Sequence, residues 1–237
     1  MAVKELSVFF PAYNEQANIR RTVERALAKL EALGICHEVI VVDDGSSDGT
    51  ADVVEGLARE HAKLKLLRHE QNRGYGAALA SGLYSARYEW ICYTDADGQF
   101  DFAELDDFLA AEQETGAELI VGYYRKRKVS SVRRAGSWLW QLAGRLFYGV
   151  HVRNVDCGFK LIHRRIPETI PRLEARRGAF VSTELIVKAK LGGFGIVEIP
   201  VTHFARTEGE ATGASLDVIL GSFRDLFAMH GKLQGRL

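Results

Sequence analysis

Apolar and polar positions follow one another in two rhythms along the first half of the chain. A short apolar run, "LSVFFPAY" (Leu6 to Tyr13), precedes "EQANIRRTVERALAKLEAL", where Ile19, Val23, Leu27 and Leu30 recur at the spacing of one helix face. The alternation repeats: "HEVIVVDDGS" then "DGTADVVEGLAREHA", "KLKLLRH" then "GYGAALASGLYSARY", and "EWICYTDADGQ" then "FAELDDFLAAEQETG". A fifth apolar run, "AELIVGYY", closes the series. Asp48 stands where an N-cap of the second helix is expected, and Asp101 where one is expected before the fourth.

Strands alternating with helices of this length predict an α/β fold with a mostly parallel, Rossmann-like sheet, helices on both of its faces, because right-handed crossovers place them there. Ligands of such sheets sit at the carboxyl ends of the strands. Three polar clusters fall at those ends, "PAYNE", "DDGSSDGT" and "DADGQ", so all three are expected to face one crevice. After Tyr124 the pattern changes to a basic run, "RKRKVSSVRR", then an aromatic segment, "SWLWQLAGRLFYGV". A strand in "DCGFKLIHR", a helix around "STELIVKAKLGG", a strand in "FGIVEIPVTHF" and a final helix over 215–232 follow. No repeat, low-complexity tract or Pro/Ser-rich linker separates the two parts, which predicts one domain over 1–237, with 125–237 completing the same sheet.

Composition narrows the classes. The chain has 237 residues, 47% of them hydrophobic, enough for a substantial core. Lys plus Arg and Asp plus Glu each total 31, so no global field draws the protein to nucleic acid, and no nucleic-acid partner is expected. Cys36, Cys92 and Cys157 form no CxxC pair and have no His neighbours at zinc spacing, which predicts reduced thiols and a cytoplasmic location. No run of 18 uncharged apolar residues occurs, so any work at a membrane is expected from its surface. The basic run Arg125 to Lys128, with Arg133 and Arg134, adjoins Trp138, Trp140, Phe147 and Tyr148, a composition suited either to peripheral anchoring on the cytoplasmic face or to a solvated loop entering a core helix.

The candidate chemistry lies in the strand-end clusters. Asp95 and Asp97, flanking Ala96, offer two hard oxygen ligands at one turn, and Gln99 a neutral oxygen beside them. Mg²⁺ or Mn²⁺ on a diphosphate takes such a set, because these ions keep waters and need only one or two carboxylates plus phosphate oxygens. Asp43 and Asp44 suit base N–H groups or a ribose hydroxyl, Pro11 stiffens its loop, Tyr13 can pack on a base, and Glu15 lies at a helix start that favours its charge. "NRGYGAAL" lacks the full dinucleotide fingerprint, and the P-loop, HExxH and GxSxG patterns are absent.

Taken together, "FFPAYNE", "VIVVDDGSSDGT", "NRGYGAAL" and "YTDADGQF" resemble family 2 glycosyltransferases of the GT-A fold. "VDCGFKLIHR", "STEL" and "VEIPVTHFAR" followed by "GAS" are similar to the branch containing dolichyl-phosphate mannosyltransferase and bacterial polyprenyl-phosphate glycosyltransferases. The resemblance implies that Pro11, Tyr13 and Glu15, with Val42, Asp43 and Asp44, bind the nucleoside of a nucleotide sugar. Asp95, Ala96 and Asp97 match the DxD motif, and Asp95, Asp97 and Gln99 would hold Mg²⁺ or Mn²⁺. Arg125 and Arg206 fall at positions of phosphate-binding arginines, and Glu184 at that of an acidic residue near the acceptor. Residues 1–124 would then bind the donor and 125–237 the acceptor. One departure is that "TGASLD" places Leu216 and Asp217 where relatives often carry Lys, removing one phosphate contact.

The activity so implied is an inverting, metal-dependent transfer of a hexose from a donor of the GDP-mannose or UDP-glucose type to a polyprenyl phosphate at the cytoplasmic membrane face. Arg125 and Arg206 would grip the acceptor phosphate through their planar forks. The alternatives are transfer to a hydroxyl, for which Glu184 would be the base, and a non-catalytic GT-A subunit that binds a membrane partner.

Overall fold

A computed structural model describes residues 3–125, 149–175 and 180–206. The basic run beyond Arg125, the aromatic segment ending at Tyr148, the "GAS" motif and the final helix expected over 215–232 lie outside the described residues.

The apolar runs form seven strands of one sheet: β1 (Glu5–Ala12), β2 (Cys36–Asp43), β3 (Leu64–Arg68), β4 (Trp90–Tyr93), β5 (Leu119–Tyr124), β6 (Lys160–His163) and β7 (Ile196–Val201), in the order β3-β2-β1-β4-β6-β5-β7. All neighbours pair in parallel except β6, which runs antiparallel to both β4 and β5. The GT-A sheet expected from the sequence is therefore present, with β6 and β7 completing it. Because β6 is reversed, it begins where β4 ends, with Lys160 opposite Tyr93. That reversal carries "DCGF" to the crevice edge, which the sequence pattern alone did not place.

Helices α1 (Gln16–Leu33), α2 (Thr50–Glu60) and α4 (Leu105–Thr115) cover one face of the sheet, and α3 (Tyr75–Ser85), α5 (Arg165–Thr169) and α6 (Phe180–Leu191) the other. Alternation along β1 decides the two cores: Leu6, Val8 and Phe10 point toward α1, while Phe9 joins the α3 and α6 side. Ile19, Val23, Leu27 and Leu30 form the buried stripe of α1, as their spacing requires. That helix ends at Gly34, whose φ of 66° lets the backbone turn left-handed without a Cβ penalty.

Two caps differ in kind. Asp101 caps a single 3-10 turn (Phe102–Glu104) ahead of α4 by accepting the Ala103 N–H at 3.0 Å. At α2 the residue in the N-cap position is Gly49, and Asp48 reaches past it to accept the Thr50 N–H at 2.9 Å.

Candidate active site

The carboxyl ends of β1 and β4 meet across one crevice, and the segment after β7 closes over it. Phe204 N–H donates to the Gln99 carbonyl at 2.8 Å, and the Gln99 side-chain nitrogen donates back to the Phe204 carbonyl at 2.8 Å. Phe100 and His203 form a bridge beside this pair, the His203 ring lying against Phe100 and Tyr124. The clasp delivers Arg206: its guanidinium stands 2.6 Å from Glu15 and 3.8 Å from Asp97. A motif near the start of the chain and one near the end of the described residues thus share one arginine with the acidic turn.

The turn itself is built by Gly98, whose φ of 71° reverses the chain, and by the Gln99 N–H, which donates to Asp97 Oδ1 at 3.0 Å. Ala96 turns its methyl into the core, and its carbonyl accepts from Thr22 Oγ1 at 3.2 Å. Asp95 accepts from Tyr75 Oη at 2.8 Å. Burial, then the neighbouring Asp97 charge, pushes the Asp95 carboxyl up to about 7. Burial likewise raises Glu15, against the opposing hydrogen bond from Asn18 and the charge of Arg206.

Not every expected binder faces the crevice. Asp44 is buried, accepting from the Arg73 and Gly74 N–H groups at 3.0 and 2.7 Å and lying 2.6 Å from His69 Nδ1. Its carboxylate therefore holds the "NRGYG" turn instead of presenting itself to a base. Asp43 accepts from the Ser46 N–H through Oδ1 at 3.2 Å, while its buried Oδ2 lies 3.4 Å from Arg68 Nε without a hydrogen bond. Val42 is fully buried on the α3 side, so only its backbone is available to a ligand, and Pro11 is buried beside it in the β1–β2 ladder. Tyr13 is 36% exposed.

Two further readings change. Arg125 pairs with Glu104 at 3.7 Å and Asp107 at 3.8 Å, at the start of α4. Glu184 is buried in α6, 2.6 Å from Lys188 Nζ, and its two oxygens accept the Glu174 and Ala175 N–H groups. Its oxygens are occupied by the protein, which removes the basis for giving it a proton from an acceptor hydroxyl. Sequence reasoning missed Tyr75, Gly158 and Lys160. Lys160 is fully buried, with Nζ donating to Tyr93 Oη at 2.9 Å and to the Cys157 carbonyl. A lysine inside the strand-like run "GFKLI" was the available signal, since lysine is almost never fully buried without partners.

The donor set fits Mg²⁺ or Mn²⁺. Among the described residues no cluster of three or more His, Cys, Asp or Glu could cage a metal, but two carboxylates at one turn suffice for an ion completed by diphosphate oxygens and water. With its nitrogen on Phe204, Gln99 has its amide oxygen left for such an ion. Cation binding must displace the Asp95 proton, so Mn²⁺ affinity is expected to weaken as pH falls through about 7, by roughly tenfold per pH unit below it. Without metal the sign for stability is opposite: ionising a carboxyl whose folded pKa is raised costs stability as pH climbs from 3.8 toward about 7. Calorimetric titration with Mn²⁺ at several pH values checks the first expectation and metal-free thermal midpoints the second.

An open α/β sheet with an acidic turn and an arginine at its carboxyl edge defines a transferase of the GT-A class. The chain belongs to glycosyl transferase family 2, whose model matches residues 7–170. A dolichyl-phosphate beta-glucosyltransferase of Dictyostelium discoideum is 30% identical over 240 residues, covering 92% of this chain and 71% of that protein. Among solved structures, glucosyl-3-phosphoglycerate synthase from Mycobacterium tuberculosis with Mg²⁺ and uridine diphosphate superposes with a TM-score of 0.72 at 20% identity, over 96% of this chain and 80% of the other. The same enzyme with Mn²⁺, UDP-glucose and phosphoglyceric acid gives 0.69 at 19% identity, again over 96% and 80%.

These findings correct the expected polyprenyl-phosphate acceptor. Of the two solved structures named, one carries phosphoglyceric acid and neither carries a lipid phosphate, and Arg125, assigned to grip that phosphate, pairs instead with Glu104 and Asp107. Among the described residues no helix is long and apolar enough to cross a membrane.

Proposed function

We propose that the chain transfers a glycosyl group from a nucleoside diphosphate sugar to a hydroxyl of a small molecule, with Mg²⁺ or Mn²⁺ on the diphosphate. The observation that carries the reading is the convergence of Glu15, Asp97 and Arg206 beside Asp95 at the carboxyl edge of β1 and β4. Residues 1–124 form the donor half in this reading, and the acceptor half begins at 125.

Tyr13 stacks on the base, and the β1–β2 edge, through the Val42 backbone and Asp43, meets the nucleoside. Asp95 and Asp97, with the Gln99 oxygen, hold the cation, which when bound supplies Lewis-acid stabilisation of the charge that builds on the leaving diphosphate. Arg206 is the chain's own cation at the same place. Resting between Glu15 and Asp97, it is pre-positioned to add a donor to the diphosphate, and Glu15 keeps its fork aimed into the crevice. Asp44 acts indirectly, by fixing the turn that begins α3.

The test is incubation with UDP-glucose or GDP-mannose, Mn²⁺ and a panel of hydroxyl acceptors beginning with 3-phosphoglycerate. A glycosylated small-molecule product, dependent on Mn²⁺, is expected. A lipid-linked sugar from undecaprenyl phosphate with no product from any hydroxyl acceptor overturns the proposal, as does failure of both donors to bind.

A further inference from the structure

We propose that Tyr75 and Gly158 are positioning residues that together seat the Asp95 carboxylate for its cation, Tyr75 by donating a hydrogen bond and Gly158 by lacking a side chain. The inference rests on the reading of Asp95 and Asp97 as cation ligands.

Two segments far apart in the chain converge on this one carboxylate. Tyr75 opens α3 and donates to Asp95 Oδ1 at 2.8 Å. The position of that hydroxyl is itself fixed. Asp44 accepts the N–H groups of Arg73 and Gly74 just before the helix, and His69 spans from Asp44, at 2.6 Å, to Ser81 on α3, at 2.9 Å. The start of α3 is therefore pinned at two levels before Tyr75 reaches across to Asp95. The structure thus gives Asp44 and the "NRGYG" turn a purpose that direct nucleoside contact does not supply.

From the other side comes the loop that enters β6. A Cβ at Gly158 would overlap the Asp95 carboxylate, both of whose oxygens lie against that point. The backbone φ at Gly158 is not in the left-handed region, so space, and not conformation, is what glycine provides there. Two residues on, Lys160 is anchored by Tyr93 Oη at 2.9 Å and by the Cys157 carbonyl, which holds the loop in register beneath the acidic turn. A carboxylate gripped on one side and walled by bare backbone on the other cannot rotate freely, and groups that orient a metal ligand typically contribute 10–100-fold in metal affinity.

Mn²⁺ binding to the full-length protein, followed by the electron paramagnetic resonance of the free ion, separates the possibilities. Tyr75→Phe keeps the ring and removes only the hydroxyl. It is expected to raise the Mn²⁺ dissociation constant by about 10–100-fold, leaving metal-free UDP affinity unchanged and lowering the metal-free thermal midpoint by no more than the loss of one hydrogen bond accounts for. Turnover lost at low Mn²⁺ should return at saturating Mn²⁺, a rescue that general loosening of the fold would not show. Gly158→Ala is expected to weaken Mn²⁺ in the same sense; if it does not fold, Tyr75→Phe decides alone. A Tyr75→Phe protein that binds Mn²⁺ like the wild type overturns the inference. Wild-type protein that binds no Mn²⁺ overturns the metal reading of Asp95 and Asp97, and the seat with it.

Discussion

Asp97→Asn is expected to fold normally and to lose turnover by about 10²–10³-fold, together with Mn²⁺-dependent binding of the donor. Asparagine keeps the oxygen that accepts the Gln99 N–H at 3.0 Å, so the turn survives and only the charge is removed. Arg206 retains Glu15 at 2.6 Å when its weaker contact with Asp97, at 3.8 Å, is neutralised, so the clasp over the crevice stays closed. The neighbouring Asp95 loses a like charge, and its carboxyl should move down from about 7 toward the ordinary range. The variant thus becomes easier to ionise at Asp95 yet poorer at holding the cation, a combination that general unfolding would not produce. Asp97→Ala adds the loss of the turn hydrogen bond, which costs about 1 kcal/mol, and should be measurably less stable than Asp97→Asn. Steady-state kinetics with thermal midpoints of both variants check the set. Turnover of Asp97→Asn within about threefold of wild type would remove Asp97 from the chemistry.

The parts of this molecule legible in its sequence are those governed by local pattern. The stripe Ile19, Val23, Leu27 and Leu30 requires a helix covering a sheet, and it lies in the core. The "DADGQ" cluster follows an apolar run, and in an α/β sheet the end of such a run is the ligand edge. Pairing direction was not legible, because four residues of β6 carry no mark of whether their neighbours run with or against them. That single reversal accounts for two of the three missed residues: Gly158 and Lys160 read as part of an ordinary strand until the antiparallel register sets the start of β6 against the end of β4. Carboxylates posed the opposite difficulty. Asp44 and Glu184 have the residue type that chemistry needs, yet both are turned inward onto backbone N–H groups, a choice decided by loops remote in sequence: Gly74 lies 30 positions from Asp44 and Glu174 lies 10 from Glu184.

Glu184 supplies the second large effect, and it is expected in stability instead of catalysis. Its side chain is 4% exposed and that of Lys188 is 5%, with 2.6 Å between them one helical turn apart. Around the pair, Lys188 donates to the Arg172 carbonyl at 2.7 Å, and Glu184 accepts from the Glu174 and Ala175 N–H groups, so the ion pair fastens the 172–175 segment onto α6. Removing one member of such a pair leaves the other charge buried without compensation, which costs about 3–5 kcal/mol. Glu184→Ala should therefore lower the thermal midpoint by roughly 10 °C for a chain of this size. Glu184→Gln keeps an acceptor for the two N–H groups but not the charge, and pairing it with Lys188→Met should recover most of the loss, since a buried pair replaced as a unit is often nearly neutral. In the folded fraction of Glu184→Gln, kcat is expected to stay within a few-fold of wild type. A fall of about 10²-fold or more in kcat with an unchanged midpoint would mean the reverse: the carboxylate would then be the base that a hydroxyl acceptor requires, and its grip on the 172–175 segment would have to open during turnover.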